Sequence, residues 1–515
     1  MRLKVIDDDG FAHRTVLRIH VERGTHIVGG EVAGRWTAPE SPFFIDGDVT
    51  IPAGDTLIID PGVQVVFTGQ YAFSVSGYLS AFGWGDSTIT FAPEDSTGWW
   101  GGLRFLESPD TSELRQCIIE RGSAIGTEPY DRGGGIYIQG ANPRITHSII
   151  RENRASMYGG GIYCEDASPY IGNCTVEANS VFYGSSGAGG GIYTINSTPN
   201  ILGSQIIDNT VGLSGGFSTA DGSGGGVYLE NSDAILPYNL IAGNSVEVSG
   251  NVGSSAQGGG ISALQSDLEV INNTISGNIT TINGIADTGS VLYLSGSYPK
   301  IFNSILWGNS SSRIKIADAN ADSLLIAFSD IEGGQDSIDA EGEFTLFWEQ
   351  GNISENPLFI DPGNGNYHLA EGSPCINNGT SWFEWEGELL LFIPSMNYAG
   401  PAPDMGAFES DVIDAIDTRT TAPQSLELFQ NYPNPFNPET IITYGLPRKM
   451  SVQLTIYDLA GHTVRELVSE YQQAGWHHIR WNGRDKYGRS VSTGVYLYRL
   501  RAGEYEKIRK MMYVK

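Results

Sequence analysis

Gly133-Gly134-Gly135-Ile136-Tyr137, Gly159-Gly160-Gly161-Ile162-Tyr163, Gly189-Gly190-Gly191-Ile192-Tyr193, Gly224-Gly225-Gly226-Val227-Tyr228 and Gly258-Gly259-Gly260-Ile261-Ser262 are five copies of one phrase. Gly289-Ser290-Val291-Leu292-Tyr293 is a worn sixth. Counting eighteen residues on from the third position of each phrase lands on Asn153, Asn179, Asn209, Asn244, Asn278 and Asn309. Each unit is therefore a module of fixed length followed by one of variable length. Other columns align inside the fixed module. Ten residues on stand Ile145, Ile171, Ile201, Leu236, Val270 and Ile301, and fifteen on stand Ile150, Val176, Ile206, Ile241, Ile275 and Leu306. The thirteenth column is small or polar: Ser148, Cys174, Ser204, Asn239, Asn273 and Ser304.

A helical repeat would place apolar residues three to four apart, whereas these short β-branched runs alternate or sit between Gly, Pro and Asn, as strands and turns do. Each unit reads as one coil. Stacked about 4.8 Å apart, as neighbouring strands are, the coils bury their aliphatic columns against one another, which no single coil could do. A disordered Gly-rich tract gives no reason for aliphatic columns in register. The pattern resembles the right-handed parallel β-helix of bacterial secreted proteins, the hand following from that resemblance and from the general hand of parallel crossovers. The expected fold is all-β: a right-handed parallel β-helix (solenoid) followed by a small antiparallel β-sandwich.

The chain has 515 residues, 67 of them glycine, and 30 basic against 59 acidic residues give a net charge of −29. Such a balance argues against nucleic acid or an anionic membrane as partner and for an extracellular surface. No apolar run approaches the roughly eighteen residues of a membrane span. Met1 to Gly30 lacks the apolar core of a signal peptide and carries alternating residues such as Thr15-Val16-Leu17-Arg18-Ile19-His20-Val21, so residues 1–35 are expected to be a β segment that ends an upstream domain. The four cysteines make no disulfide framework. Cys117 falls in the column of Ser148 and Cys174, two coils from the latter and beyond disulfide reach, while Cys164 and Cys375 lie elsewhere. All four are expected to be buried thiols.

The β-helix is expected over 36–355. Asp48-Val49-Thr50-Ile51-Pro52-Ala53-Gly54 and Leu57-Ile58-Ile59-Asp60-Pro61-Gly62-Val63-Gln64-Val65-Val66-Phe67 resemble the opening coils of bacterial β-helices. Trp99-Trp100 opens a further coil and is read as packing rather than as a sugar-stacking platform. The variable modules are Gly-, Ser- and Asn-rich, with Phe182, Tyr183 and Phe217 as their aromatics. They project side by side, as inert spacers or as a shallow wall for a glycan.

Residues 356–410, with Asn356-Pro357-Leu358-Phe359-Ile360-Asp361-Pro362, Gly372-Ser373-Pro374-Cys375-Ile376-Asn377-Asn378-Gly379 and Asp404-Met405-Gly406-Ala407-Phe408-Glu409, resemble the choice-of-anchor Q segment of bacterial surface proteins. Such a segment is expected to cover the last open edge of the solenoid. Residues 411–425 read as a linker. Residues 426–515, opening on Asn431-Tyr432-Pro433-Asn434-Pro435-Phe436-Asn437-Pro438 and continuing through Val452-Gln453-Leu454-Thr455-Ile456-Tyr457-Asp458 and Gly494-Val495-Tyr496-Leu497-Tyr498-Arg499-Leu500, read as an antiparallel sandwich. They resemble the type A sorting domain of the type IX secretion system, with the related fold of flagellar hook-capping proteins as the alternative. That resemblance implies the type IX secretion machinery as partner through 426–515 and a place outside the cell or on its outer surface.

From Ala155 to Pro299 there is no Lys, Arg or His. A uronate lyase needs a base and positive charge, so this stretch leaves carboxylate chemistry or an uncharged ligand. Its acids include Glu165, Asp166, Asp208, Asp221, Glu230, Asp233, Asp267 and Glu269. Asp166 and Asp233 fall two coils apart and make no hydrolytic pair, which would need about 5–9.5 Å. Exposed turn acids read as solvation, with Ca²⁺ on them as the intermediate case. No catalytic, cofactor or metal residues are assigned. His477 and His478 read as surface residues of a sandwich strand. The expected protein is a monomeric, secreted, surface-exposed β-helix that is carbohydrate-binding, structural or adhesive. The alternative is a polysaccharide lyase or glycoside hydrolase whose site lies outside the basic-free stretch, around Arg104, Arg115, Arg121 and Arg132.

Overall fold

A computed structural model describes residues 24–515, apart from 110–111, 217, 284, 287–288, 311–313, 318–322, 395–396, 411–426, 429–430, 432–433, 435, 437–439, 473–474, 504 and 515. The chain forms two compact units that divide between residues 412 and 413.

The first unit is a parallel β-helix. Three twelve-stranded sheets form its faces, and successive strands of each belong to successive coils. The first face runs from Thr25–Ile27 to Asp330–Ile331, the second from Gly30–Glu31 to Ile338–Ala340 and the third from Gly34–Trp36 to Thr345–Trp348. The solenoid thus reaches back to Thr25. Residues 1–23, including the Thr15–Val21 run, lie outside the described residues.

Inside, the aliphatic columns stack as the spacing predicts. Ile145 pairs with Ile171 and Ile171 with Ile201 on the third face, and Ile150 with Val176 and Val176 with Ile206 on the first. All are fully buried in one continuous core. Aromatic rings fill the opening coils: Trp36 stacks on Phe43 at 4.6 Å, and Phe67 on Trp100 at 4.0 Å. Trp100 is fully buried and donates its indole N–H to the Glu120 carbonyl at 2.8 Å, a packing role.

Each corner repeats one device. A residue in the left-handed conformation turns the chain, and the next residue satisfies the backbone of its neighbour. After the first face, Asn153, Asn179, Asn209, Asn244, Asn278 and Asn309 form a ladder with amide-to-amide distances of 2.9–3.0 Å. Asparagine's tolerance of left-handed geometry suggests it for this turn, but the positive φ falls one residue earlier, on Glu152, Ala178 and Asp208, then on Gly243, Gly277 and Gly308. The Asn positions are held by the ladder, because a buried amide offers both donors and an acceptor to the coils on either side. After the third face the small-polar column makes a second ladder, in which Cys117 N–H donates to Ser148 Oγ at 3.0 Å and Asn273 N–H to Ser304 Oγ at 3.0 Å. After the second face Ser197, Ser232, Ser266 and Ser297 make a third, at 2.9–3.1 Å.

The glycine triplets divide their work. The first glycine of each turns the chain with φ of +58° to +70°. The second and third lie where coils touch: a Cβ on Gly160 would come within 2.4 Å of the Gly190 carbonyl oxygen.

The variable modules are ordered strands rather than inert spacers. They form a seven-stranded sheet that includes Ser180–Val181, Thr210–Ser214 and Ser245–Ser249, and a three-stranded sheet of Ser186–Ala188, Asp221–Ser223 and Ser255–Gln257. Together these enclose a second core of Ala124, Ala155, Val181, Val211, Leu213, Ala220, Val246, Val248 and Ala256. Phe182 and Tyr183 stay exposed, and Phe217 lies outside the described residues.

All four cysteines are free and buried. Residues 356–410 dock along the flank of the last coils. Asn272 Nδ2 donates to the Asp404 carbonyl at 2.9 Å, Thr380 N–H to Asn303 Oδ1 at 2.8 Å and Ala407 N–H to Thr274 Oγ1 at 3.0 Å. The reason is apolar. Phe302, Leu325 and Ala327 on the third face and Leu240 and Ala242 on the first stand outside the main core, and they are covered by Phe383, Leu391, Ile393 and Tyr367.

The second unit is an antiparallel sandwich. One sheet contains Glu427–Leu428, Thr440–Leu446 and Gly475–Trp481; the other contains Met450–Tyr457, Thr463–Gln472, Gly494–Ala502 and Tyr505–Tyr513. Its own core includes Leu454, Trp481, Tyr498 and Leu500. Asn431, Asn434 and Phe436 anchor its opening: Asn431 N–H donates to Tyr498 Oη at 2.8 Å, Asn434 Oδ1 accepts Met512 N–H at 2.7 Å, and Phe436 packs on Trp481 and Tyr513. His477 stacks on Tyr444 at 5.4 Å. The linker 411–425 lies outside the described residues. Among the described residues no helix is long and apolar enough to cross a membrane.

Candidate functional site

On a strand whose alternate residues point inward, the residues between them line the outer surface. On the second face the register carries one such column through Glu31, Thr50, Ser74, Arg104, Tyr137, Tyr163, Tyr193, Tyr228, Ser262 and Tyr293. The column is polar at its head and aromatic along its length.

The tyrosine rings stack face to face at the coil spacing. Centroids lie 5.2 Å apart for Tyr137–Tyr163, 5.3 Å for Tyr163–Tyr193 and 5.0 Å for Tyr193–Tyr228, with interplanar angles of 12–13°. Tyr158 and Ala188 pack against them, and Tyr137, Tyr163 and Tyr193 are buried. Two carboxylates collect the phenols: Glu165 accepts from Tyr137 and Tyr163, each at 3.3 Å, and Glu230 accepts from Tyr193. Burial, reinforced by Glu165, pushes the Tyr137 phenol up to about 12, and burial raises Tyr163, Tyr193 and Tyr228 as well. These phenols stay protonated at neutral pH, and those of Tyr137, Tyr163 and Tyr193 act as donors within the wall.

At the head of the stack the column opens. A pocket of about 450 Å³, within the range of small-ligand sites, is lined by Asp48, Thr50, Gln70, Ala72, Ser74, Gly101, Arg104, Ser123, Ala124, Ile125 and Tyr130. The inner strands provide a rigid floor, and the turn carrying Tyr130 provides a rim. Asp48 Oδ1 accepts the Ala72 N–H at 2.8 Å.

Arg104 joins pocket and stack. Its guanidinium carbon lies 4.2 Å from the Tyr137 ring centroid and 4.8 Å from that of Tyr130. Nη2 donates to the Pro129 carbonyl at 2.7 Å, and Nη1 has no hydrogen-bond partner. Only 3 % of the residue is exposed, and burial lowers its pKa.

The structure separates the four arginines of the sequence reading. Arg132 joins Arg104 on the tyrosine column, donating to Tyr163 Oη at 3.1 Å and pairing with Asp131 at 3.1 Å and Glu128 at 3.4 Å. Arg115 lies over the Phe82 and Trp84 rings. Arg121 pairs with Glu152 at 3.3 Å, beside a shallower cleft of about 310 Å³ that includes Glu120.

The acids of the basic-free stretch are committed to structure. Glu165 and Glu230 hold phenols, Asp166 and Asp208 turn corners with positive φ, Asp233 Oδ1 accepts Asp267 N–H at 2.9 Å, and Glu269 pairs with Lys300 at 3.1 Å. Among the described residues no group of three or more His, Cys, Asp or Glu is placed to hold a metal ion. The buried tyrosine wall was not anticipated. Its signal was the in-out-in match of Leu103-Arg104-Phe105 with Ile136-Tyr137-Ile138, which places Arg104 at the head of the tyrosines.

Two family models match the chain: a right-handed β-helix region over residues 87–245 and an FlgD Ig-like domain over residues 436–504. The first gives the solenoid its hand; the second carries the fold of the hook-capping alternative. No curated protein matches the chain. Among solved structures it is similar to dimeric latent PorU of Porphyromonas gingivalis, at 26% identity and a TM-score of 0.16 over 17% of this chain and 9% of that one. It is also similar to PorZ of the same organism, described as an essential bacterial surface component of the type IX secretion system, at 18% identity and a TM-score of 0.14 over 19% of this chain and 13% of that one. The chain therefore spans a small fraction of either protein.

Proposed function

We propose that this is a surface-exposed β-helix protein that binds carbohydrate in the pocket at the head of the tyrosine column and leaves the cell through its C-terminal sandwich. The observation that carries the binding reading is the pocket's lining. Thr50, Ser74 and Arg104 bring hydrogen-bonding groups from strands of a twelve-stranded sheet, Asp48 adds a carboxylate just before one of those strands and Ser123 a hydroxyl from the seven-stranded sheet, and Tyr130 adds a ring that is 57% exposed. Saccharides need that combination, because hydroxyls demand donors and acceptors while the C–H faces of the sugar ring pack on aromatics.

Binding is favoured over turnover. Asp48 is the one carboxylate in the lining, whereas hydrolysis by two carboxylates needs a pair about 5–9.5 Å apart. Support for export comes from the Tyr-Pro-Asn-Pro-Phe-Asn-Pro sequence and the antiparallel sandwich that follows it, which resemble type A sorting domains.

Incubating the full chain with a panel of neutral and uronic polysaccharides tests the reading. Retention of the protein on at least one polysaccharide is expected, with no new reducing ends and no absorbance from unsaturated products. Product formation would make it a hydrolase or lyase, and failure to bind any member would leave a structural or adhesive role.

A further inference from the structure

We infer that the pocket selects a saccharide carrying a carboxylate, which Arg104 receives; this rests on the carbohydrate-binding reading above. The argument begins with an unmatched charge. Arg104 is 97% buried, yet among the described residues no carboxylate lies within ion-pair distance of it. Its neighbour Arg132 is paired twice, and Arg151 holds Glu120 at 2.7 Å. A guanidinium has five N–H donors in a planar fork. Here the one protein acceptor bonded is the Pro129 carbonyl, and Nη1 is bare.

A buried donor without a partner calls for an explanation, and a buried charge without one is costlier still. The faces of Tyr137 and Tyr130 hold the fork flat and offset part of that cost by cation–π attraction. They leave its edge unsatisfied. In a chain of net charge −29 an acidic partner would be easy to supply, but the pocket's own acid, Asp48, is exposed and bonded to the Ala72 amide.

A sugar hydroxyl would satisfy a donor but leave the guanidinium without a direct ion pair, since Asp131, which acts on it electrostatically, is in contact with Arg132 instead. A carboxylate satisfies both, and does so bidentately with a planar fork. Tyr130, more than half exposed and lying over the guanidinium, is the ring a bound sugar would displace or stack upon.

Calorimetric titration of the full chain tests this. The probes are galacturonate, glucuronate and mannuronate oligosaccharides, each beside its carboxyl-reduced neutral counterpart, with sodium acetate as the free carboxylate. At least one acidic oligosaccharide should bind roughly tenfold or more tighter than its neutral form, and Arg104→Gln should weaken the acidic ligand by about 10- to 100-fold and so collapse the difference between the acidic and neutral forms. Asp48→Asn keeps the acceptor for Ala72 and removes a negative charge from the lining, so it should widen the difference between the acidic and neutral forms. It also provides a readout should Arg104→Gln fail to fold. Equal binding of acidic and neutral forms, unmoved by both variants, would overturn carboxylate selection and leave carbohydrate binding standing. Acetate binding as tightly as the oligosaccharides would overturn the saccharide class. Binding of none would remove both readings.

Discussion

At the corner between the first and second faces, two positions of the repeat do different work. Asn209 is fully buried; its Oδ1 accepts from the backbone N–H and the Nδ2 of Asn179, and its Nδ2 donates to the Val176 carbonyl and to Asn244. Leucine there would fill similar volume but leave several buried groups unpaired, each at about 1–3 kcal/mol. Asn209→Leu should therefore lower the unfolding midpoint clearly, and a midpoint within a degree or so of wild type would contradict the ladder's role. One residue before the next Asn on the ladder's other side, Ala178 holds φ 52°. A left-handed non-glycine residue costs roughly 1–2 kcal/mol, and glycine returns part of that as unfolded-state entropy of about 0.5–1 kcal/mol. Ala178→Gly should stabilise the protein by about 0.5–1 kcal/mol, read in a thermal melt. A loss of stability would mean that Ala178 has packing that offsets its strain.

Among the larger elements, the closing segment is fastened by a titratable bond. Cys375 thiol donates to Asp330 Oδ2 at 3.3 Å, and Glu355 N–H donates to Asp330 Oδ1 at 3.1 Å. Burial pushes the Asp330 carboxyl up to about 6, with Glu355 and Glu332 adding to the rise. Its folded pKa lies above the unfolded value near 3.9, so folding favours the protonated form. That contribution is fully present below about pH 4 and is lost as pH rises through 6. Asp330→Asn imitates the protonated carboxyl. Relative to wild type it should gain up to about 2 kcal/mol between pH 4 and 7, measured as the difference between paired denaturation series. A difference that does not change with pH would contradict a raised pKa at Asp330.

Across the whole molecule, the two units have separate cores, one centred on the stacked aliphatic columns and one on Leu454, Trp481, Tyr498 and Leu500. Units with their own cores fold independently as a rule. A chain ending near Thr421 should keep the cooperative melt of the β-helix. Residues 423–515 behind an unrelated passenger with a signal peptide should carry it across the outer membrane of a type IX-competent host. Loss of the β-helix melt on truncation, or a passenger held in the periplasm, would make the sandwich a structural or adhesive module instead.

The coil and the asparagine ladder were legible in the sequence because a solenoid converts spatial stacking into a fixed count along the chain; the three strands per coil and the serine ladder were not. Asn153 to Asn309 announces a ladder by spacing alone, and Ile145 to Ile301 a core. The side lobe was harder to see. Val181, Val211 and Val246 each stand two residues after a ladder asparagine, but the modules that carry them vary in length and hide the register. The closing segment's course along the flank depended on where Leu240, Phe302 and Leu325 leave apolar surface. Arg104 was legible only as one of four scattered arginines. That it lies against Tyr137, one coil further on, beside a pocket and, among the described residues, without an ion-paired acid, was decided by the tertiary structure, because partners across coils are set by stacking and not by neighbours in the chain.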